Sequence, residues 1–131
     1  MLCDEGLLDD AEYKNIVWSE DARRVADGKL FEYKAAVLKK AFARFDRENA
    51  DWKAFLTNKK YQDVALFMAL KVNYNYCQWT LWSDEHRDYK KALACKDNFE
   101  TEMNFWRWLQ FEFVSQWVEI VNYAHKKGIM I

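Results

Sequence analysis

The residue types best suited to chemistry gather in one short stretch. Tyr74, Tyr76, Trp79 and Trp82 are interleaved there with Asn73, Asn75 and Gln78. Ring faces stack on the C–H faces of pyranose sugars and amides bond sugar hydroxyls, so this pattern could form a substrate-binding platform for a saccharide. The same rings could instead bury the connection against its neighbouring helices, and an exposed cluster of rings would be an aggregation-prone patch. On residue type alone the burying role has the better claim. His86 and His125 lack cysteine or carboxylate partners at ligand spacing, so no metal site is expected. Cys3, Cys77 and Cys95 are odd in number, widely spaced and without a C-x-x-C pair. With no secretory leader, they read as reduced thiols of a cytoplasmic protein, packed rather than reactive. Glu112 and Glu119 read as solvated charges on the polar side of a helix. No catalytic residue and no cofactor is assigned.

The elements that would position these rings are helical. A chain of 131 residues fits a single domain. Its 51% hydrophobic and 31% charged residues lie in the globular range, and the 18% aromatic content predicts a ring-dominated core. A formal charge of −1 argues against a nucleic-acid partner. The longest apolar run, residues 64–70, falls far short of the roughly 20 residues a membrane span needs. Proline is absent and glycine appears only at Gly6, Gly28 and Gly128, which favours helices joined by few tight turns.

Periodicity places those helices. Phe31, Ala35, Leu38, Phe42 and Phe45 predict an amphipathic helix starting near Lys29, with Asp27 and Gly28 as its capping turn. Residues 49–56 read as a short helix, followed by a polar break at residues 57–60. Residues 61–73 should form a helix whose centre, residues 64–70, is apolar on every side and therefore buried between neighbours. Residues 74–82 read as an irregular connection, after which Ser83 should cap a helix running through Ala94. Residues 98–127 are the clearest helix, with Phe99, Met103, Trp106, Leu109, Phe113, Trp117, Ile120 and Ala124 stepping by three or four and Gly128 as its stop. Ile129, Met130 and Ile131 read as a strand beginning. The expected fold is all-α, a compact bundle of about five helices with an incipient C-terminal strand.

Three blocks carry a resemblance. Phe105-Trp106-Arg107-Trp108-Leu109-Gln110-Phe111-Glu112-Phe113 with Gln116-Trp117 and Tyr123-Ala124-His125-Lys126-Lys127-Gly128-Ile129-Met130-Ile131 resembles the amylomaltase, or 4-α-glucanotransferase, family. So do Phe31-Glu32-Tyr33-Lys34-Ala35-Ala36-Val37-Leu38-Lys39-Lys40-Ala41-Phe42 and Ala65-Leu66-Phe67-Met68-Ala69-Leu70-Lys71, in the same order. The chain departs from the family pattern at Val25-Ala26-Asp27, where Val-Asp-Tyr is usual, at Trp82-Ser83, where Trp-Pro is common, and at Asp63-Val64, where Asp-Tyr is common. The resemblance implies a (β/α)8 barrel enzyme that transfers α-1,4-glucan segments through a carboxylate nucleophile and a carboxyl acid/base. In the family's order those carboxylates lie beyond Ile131, so none is carried onto a residue of this chain.

Two readings follow. In the first, the chain is a helical subdomain of such an enzyme, inactive alone, bound to α-1,4-glucans through the parent and able to form homo-oligomers through a barrel-facing surface. The alternative is an autonomous or redesigned helical module serving as a scaffold or self-associating domain.

Overall fold

The computed structural model of the chain describes residues 2–21 and 23–131. Among these, seven α-helices are formed: α1 (Ala11–Lys14), α2 (Asp27–Arg44), α3 (Ala50–Leu56), α4 (Gln62–Asn73), α5 (Asp84–Arg87), α6 (Tyr89–Ala94) and α7 (Glu100–Lys126). Short 3-10 turns occupy Lys59–Tyr61, Trp79–Leu81 and Lys96–Phe99. No strand is present among the described residues, and Ile129, Met130 and Ile131 are exposed and unpaired in any ladder. The expected strand beginning is therefore not formed, since a strand is held by hydrogen bonds to a neighbour. The chain divides into two units, Met1–Arg47 and Glu48–Ile131.

In the first unit α2 begins two residues earlier than expected. Asp27 and Gly28 lie inside its first turn, and the N-cap position falls to Ala26, which has no side-chain acceptor. Asp27 still places its charge beside the free amides at the positive end of the helix dipole. The buried line along α2 is Val37, Ala41 and Phe42, while Phe31, at the head of the expected stripe, is exposed. Arg44, from the last turn, grips Glu12 through both carboxylate oxygens at 2.6 and 3.1 Å and reaches the Leu7 carbonyl at 3.1 Å. Two planar groups matched in this way form a directional, charge-assisted pair.

The second unit is built on α4 and α7. Ala65, Leu66, Ala69 and Leu70 of α4 join Trp82, Ala92 and Met103 in its core, with Tyr74, Cys77, Phe99 and Trp106 at the margin. Small Ala65 and Ala69 on the buried side allow neighbouring side chains close approach. The expectation that α4 is buried all round is corrected: Val64 and Phe67 are 46% and 42% exposed. An apolar helix is enclosed only where something packs on each side, and here burial covers the Ala65, Leu66, Ala69 and Leu70 side alone. Along α7 the burial thins part-way, with Ala124 buried near its end. Met103, Phe105 and Trp108 are buried, whereas Phe113, Trp117, Ile120 and Tyr123 are exposed.

Helix ends follow local chemistry. Asn49 caps α3 by accepting from the amides of Asp51 and Trp52 at 2.9 and 3.1 Å. The stop of α7 has the expected form: Gly128 sits at φ +74°, with Ile129 N bonding Ala124 O and Gly128 N bonding His125 O, the paired bonds of a Schellman motif. The end of α4 repeats it with Asn75 at the left-handed position, φ 50°, through Tyr76 N to Lys71 O and Asn75 N to Val72 O. Asparagine is among the few non-glycine residues that enter this region readily.

Candidate functional site

The Asn75 turn sends the chain back along α4, and Tyr76, also left-handed at φ 60°, completes the reversal. Trp79 and Trp82 are thereby laid beside the face of α4 formed by Asp63, Leu66, Phe67 and Leu70. These four positions follow the i, i+3, i+4, i+7 spacing of one helix side. His86 and Arg87 of α5 and Tyr89 and Ala92 of α6 complete an open cavity of about 330 Å³.

Its base is apolar and rigid. Trp82 is 5% exposed, stacked on Tyr74 with centroids 5.4 Å apart and planes at 11°, and tilted against Phe67 at 5.3 Å. Tyr74 is itself fixed by its hydroxyl, which lies 3.0 Å from Ser83 Oγ and 2.9 Å from His86 Nδ1 and accepts from Ser83 N at 3.1 Å. The His86 ring stands edge-on between Tyr74 and Phe99, at 5.6 and 5.4 Å. Ser83 occupies the N-cap position of α5 as expected, yet its hydroxyl does not cap. The Tyr74 hydroxyl has engaged it, and only the Ser83 carbonyl serves the helix, accepting from His86 N and Arg87 N.

Polar groups surround this base. Tyr89 donates its hydroxyl hydrogen to Asp63 Oδ1 at 2.9 Å. That bond, together with the carboxylate charge, raises the Tyr89 pKa above its ordinary value. Arg87 donates from Nη1 to the Thr80 carbonyl at 3.2 Å and pairs with Asp84 through Nη2, which ties α5 to the 3-10 turn carrying Trp79. Trp79 is 55% exposed and Tyr89 57%.

The helix expected from Ser83 to Ala94 is broken at Asp88, whose backbone is extended at φ −84°, ψ 119°. The Asp88 carboxylate accepts from Lys91 N at 3.0 Å, so it starts α6 afresh as an N-cap. This break sets the position of Tyr89 opposite Asp63.

Of the four ring residues singled out from sequence, the structure brings Trp79 and Trp82 to the cavity and places Tyr74 behind Trp82 as support. Tyr76 does not line it and stands 39% exposed at the turn. Tyr74 and Trp82 pack inward and Trp79 faces out, so buried and exposed rings are divided within one segment. Asp63, Arg87 and Tyr89 were not legible as site residues. The i, i+4 spacing of Asp63 and Phe67 was a signal available in sequence, but the residues facing them come from across a helix break. Among the described residues no group of three or more His, Cys, Asp or Glu gathers where a metal ion could be held.

Comparison with known proteins decides the family. The family model described as 4-alpha-glucanotransferase matches residues 2–131. The chain belongs to the 4-alpha-glucanotransferase family. It is 32% identical to the 4-alpha-glucanotransferase of Clostridium butyricum over 136 residues, covering 100% of this chain and 28% of that protein. It is 31% identical to that of Aquifex aeolicus, covering 99% of this chain and 26% of the relative. Its structure is similar to the amylomaltase from Streptococcus agalactiae in complex with acarbose, with a TM-score of 0.82 at 27% identity, covering 98% of this chain and 27% of that one. This 4-alpha-glucanotransferase family chain thus spans about a quarter of the length of these relatives. No helix among its described residues is long and apolar enough to cross a membrane.

Proposed function

We propose that this chain is the helical part of an enzyme that transfers α-1,4-glucan segments between chains, and that it has no transferase activity by itself. The observation that carries the reading is the family match over residues 2–131 in a chain that spans only about a quarter of its relatives. Retaining transfer between glucans needs two carboxyl groups about 5 Å apart across the scissile bond, and barrel enzymes hold such groups at the ends of strands. The described residues are helical throughout their regular structure. Tyr74, Tyr76, Trp79 and Trp82 contribute to glucan binding in this reading, with Tyr76 and Trp79 as exposed rings and Tyr74 stacked behind Trp82.

The exposed side of α7 supports the same proposal. Phe113 and Trp117, stacked at 6.5 Å, and Ile120 form an apolar row that fits packing against further parts of such an enzyme. Made alone, the chain self-associates through this row, and light scattering would detect it. The free thiols of Cys3, Cys77 and Cys95 suit a reducing compartment, which supports a cytoplasmic location.

The test is a hybrid in which this chain replaces the matching segment of the Clostridium butyricum relative. Maltotriose disproportionation by the hybrid, and none by the chain alone, is the expected result. A folded hybrid without transfer, or transfer by the chain alone, would overturn the proposal.

A further inference from the structure

We propose that the cavity bounded by α4, α5 and α6 binds a glucosyl unit of an α-1,4-glucan, with Trp79 as stacking face and Asp63 and Arg87 as hydroxyl partners. This rests on the glucan reading above and assigns to it residues and a place.

A pyranose ring is amphipathic in a particular way. Its axial C–H groups form apolar faces, while its hydroxyls radiate from the edge and need both donors and acceptors. The cavity has the matching distribution. Leu66, Leu70, Ala92 and Trp82 are buried apolar residues at its base, and Trp79 offers an indole that is more than half exposed. Asp63 is a two-oxygen acceptor of which Tyr89 occupies Oδ1. Arg87 carries more N–H donors than its bonds to Thr80 and Asp84 require. Opposite charges on one cavity suit a neutral polyhydroxyl ligand better than an anion, which Asp63 would repel. At about 330 Å³ the space lies at the lower end of the range for small-ligand pockets and accommodates roughly one or two sugar rings.

Linkage enters through shape. An α-1,4-glucan curls, so one unit can enter an open cavity while its neighbours turn away over the rim. A β-1,4-glucan is straight and flat and requires a row of coplanar rings. Here the exposed rings of the cavity, Trp79, Phe67 and Tyr89, come from three separate elements rather than one row, and Trp82 is packed against Tyr74 and Phe67.

The site is preorganised, which limits the entropy lost on binding. Tyr89 holds Asp63, Arg87 holds the Trp79 turn through Thr80, and the hydroxyl of Tyr74 fixes the ring beneath Trp82.

The experiment is a titration of this chain with maltoheptaose, followed by the indole N–H resonances, with cellohexaose as control. The Trp79 resonance should shift with maltoheptaose and not with cellohexaose. The buried Trp52 indole should stay in place and report an intact fold. Trp79→Ala and Asp63→Asn should each weaken maltoheptaose binding about tenfold, the loss of one stacking face or one charged hydrogen bond. No shift of Trp79 up to the solubility of the sugar, equal binding of cellohexaose, or undiminished affinity in both variants would overturn the assignment. The hybrid enzyme separates the two claims. Transfer without binding at this cavity removes the site and leaves the proposed function, and binding without transfer does the reverse.

Discussion

Tyr89 donates its hydroxyl hydrogen to Asp63 across 2.9 Å, joining two residues that are 26 positions apart in the chain and line one cavity. The bond exists because α6 restarts at Asp88 instead of continuing α5. It therefore makes the geometry of the helix break accessible to a simple titration.

The Asp63 carboxylate stabilises the protonated phenol of Tyr89, first by the hydrogen bond and then by its charge, so Tyr89 ionises above its ordinary value of 10.0. A raised pKa in the folded state contributes stability that is complete below about pH 10 and is lost as the pH rises through the folded value. Phenolate absorbance should show Tyr89 among the tyrosines that titrate late, beside Tyr13, which is also raised. Asp63→Asn should move Tyr89 back toward 10, and an unchanged titration would mean that the bond is absent in solution.

Glu12 is lowered from 4.5 to about 2, chiefly by the Arg44 guanidinium and then by the Asp9 amide, which donates at 3.0 Å. A depressed folded pKa contributes stability that is complete above about pH 4.5 and is lost as the pH falls from there through about 2. Carboxyl carbon shifts should place the Glu12 midpoint well below those of exposed glutamates. Arg44→Met should return it toward 4.5.

Gly28 lies inside the first turn of α2 with open space where a methyl group would stand, nothing coming within 4 Å, and its φ is not in the left-handed region. Gly28→Ala should therefore stabilise the protein by about 0.4 to 1 kcal/mol, by restricting the unfolded chain and favouring the helix. Gly128 has equal space but φ +74°. Gly128→Ala should destabilise by about 1 kcal/mol. Thermal melts of the two variants should shift in opposite directions.

Trp82 combines near-complete burial with an indole Nε1 that has no hydrogen-bond partner among the described residues. A buried unsatisfied donor costs about 1 to 3 kcal/mol. Trp82→Ala should cost about 3 to 5 kcal/mol because it leaves a large void under Tyr74. Trp82→Phe removes the stranded donor and keeps a ring, so its cost should fall to about 1 to 2 kcal/mol. Denaturant unfolding of the two variants would show whether the indole nitrogen is a liability, since equal losses would contradict it.

The sequence by itself determined the helical class, the approximate extents of α2, α3, α4 and α7 and the glycine stop at Gly128. Each is set by local causes: apolar spacing along one face, a capping Asn49, and a residue without Cβ at a left-handed position. It also determined the family resemblance, because three blocks in fixed order survive changes elsewhere. Tertiary structure alone decided which rings face solvent. Trp79 and Trp82 lie three residues apart in one aromatic run, yet Trp82 is sealed between Tyr74 and Phe67 while Trp79 stays open. Periodicity cannot separate them, since the turn that carries them has no regular repeat. Asp63, Arg87 and Tyr89 escaped notice for a related reason: a cavity-lining residue is defined by what faces it, and what faces Asp63 is placed by the break at Asp88. That break is a contest between continuing a helix and capping a new one, and packing around the fold resolves it.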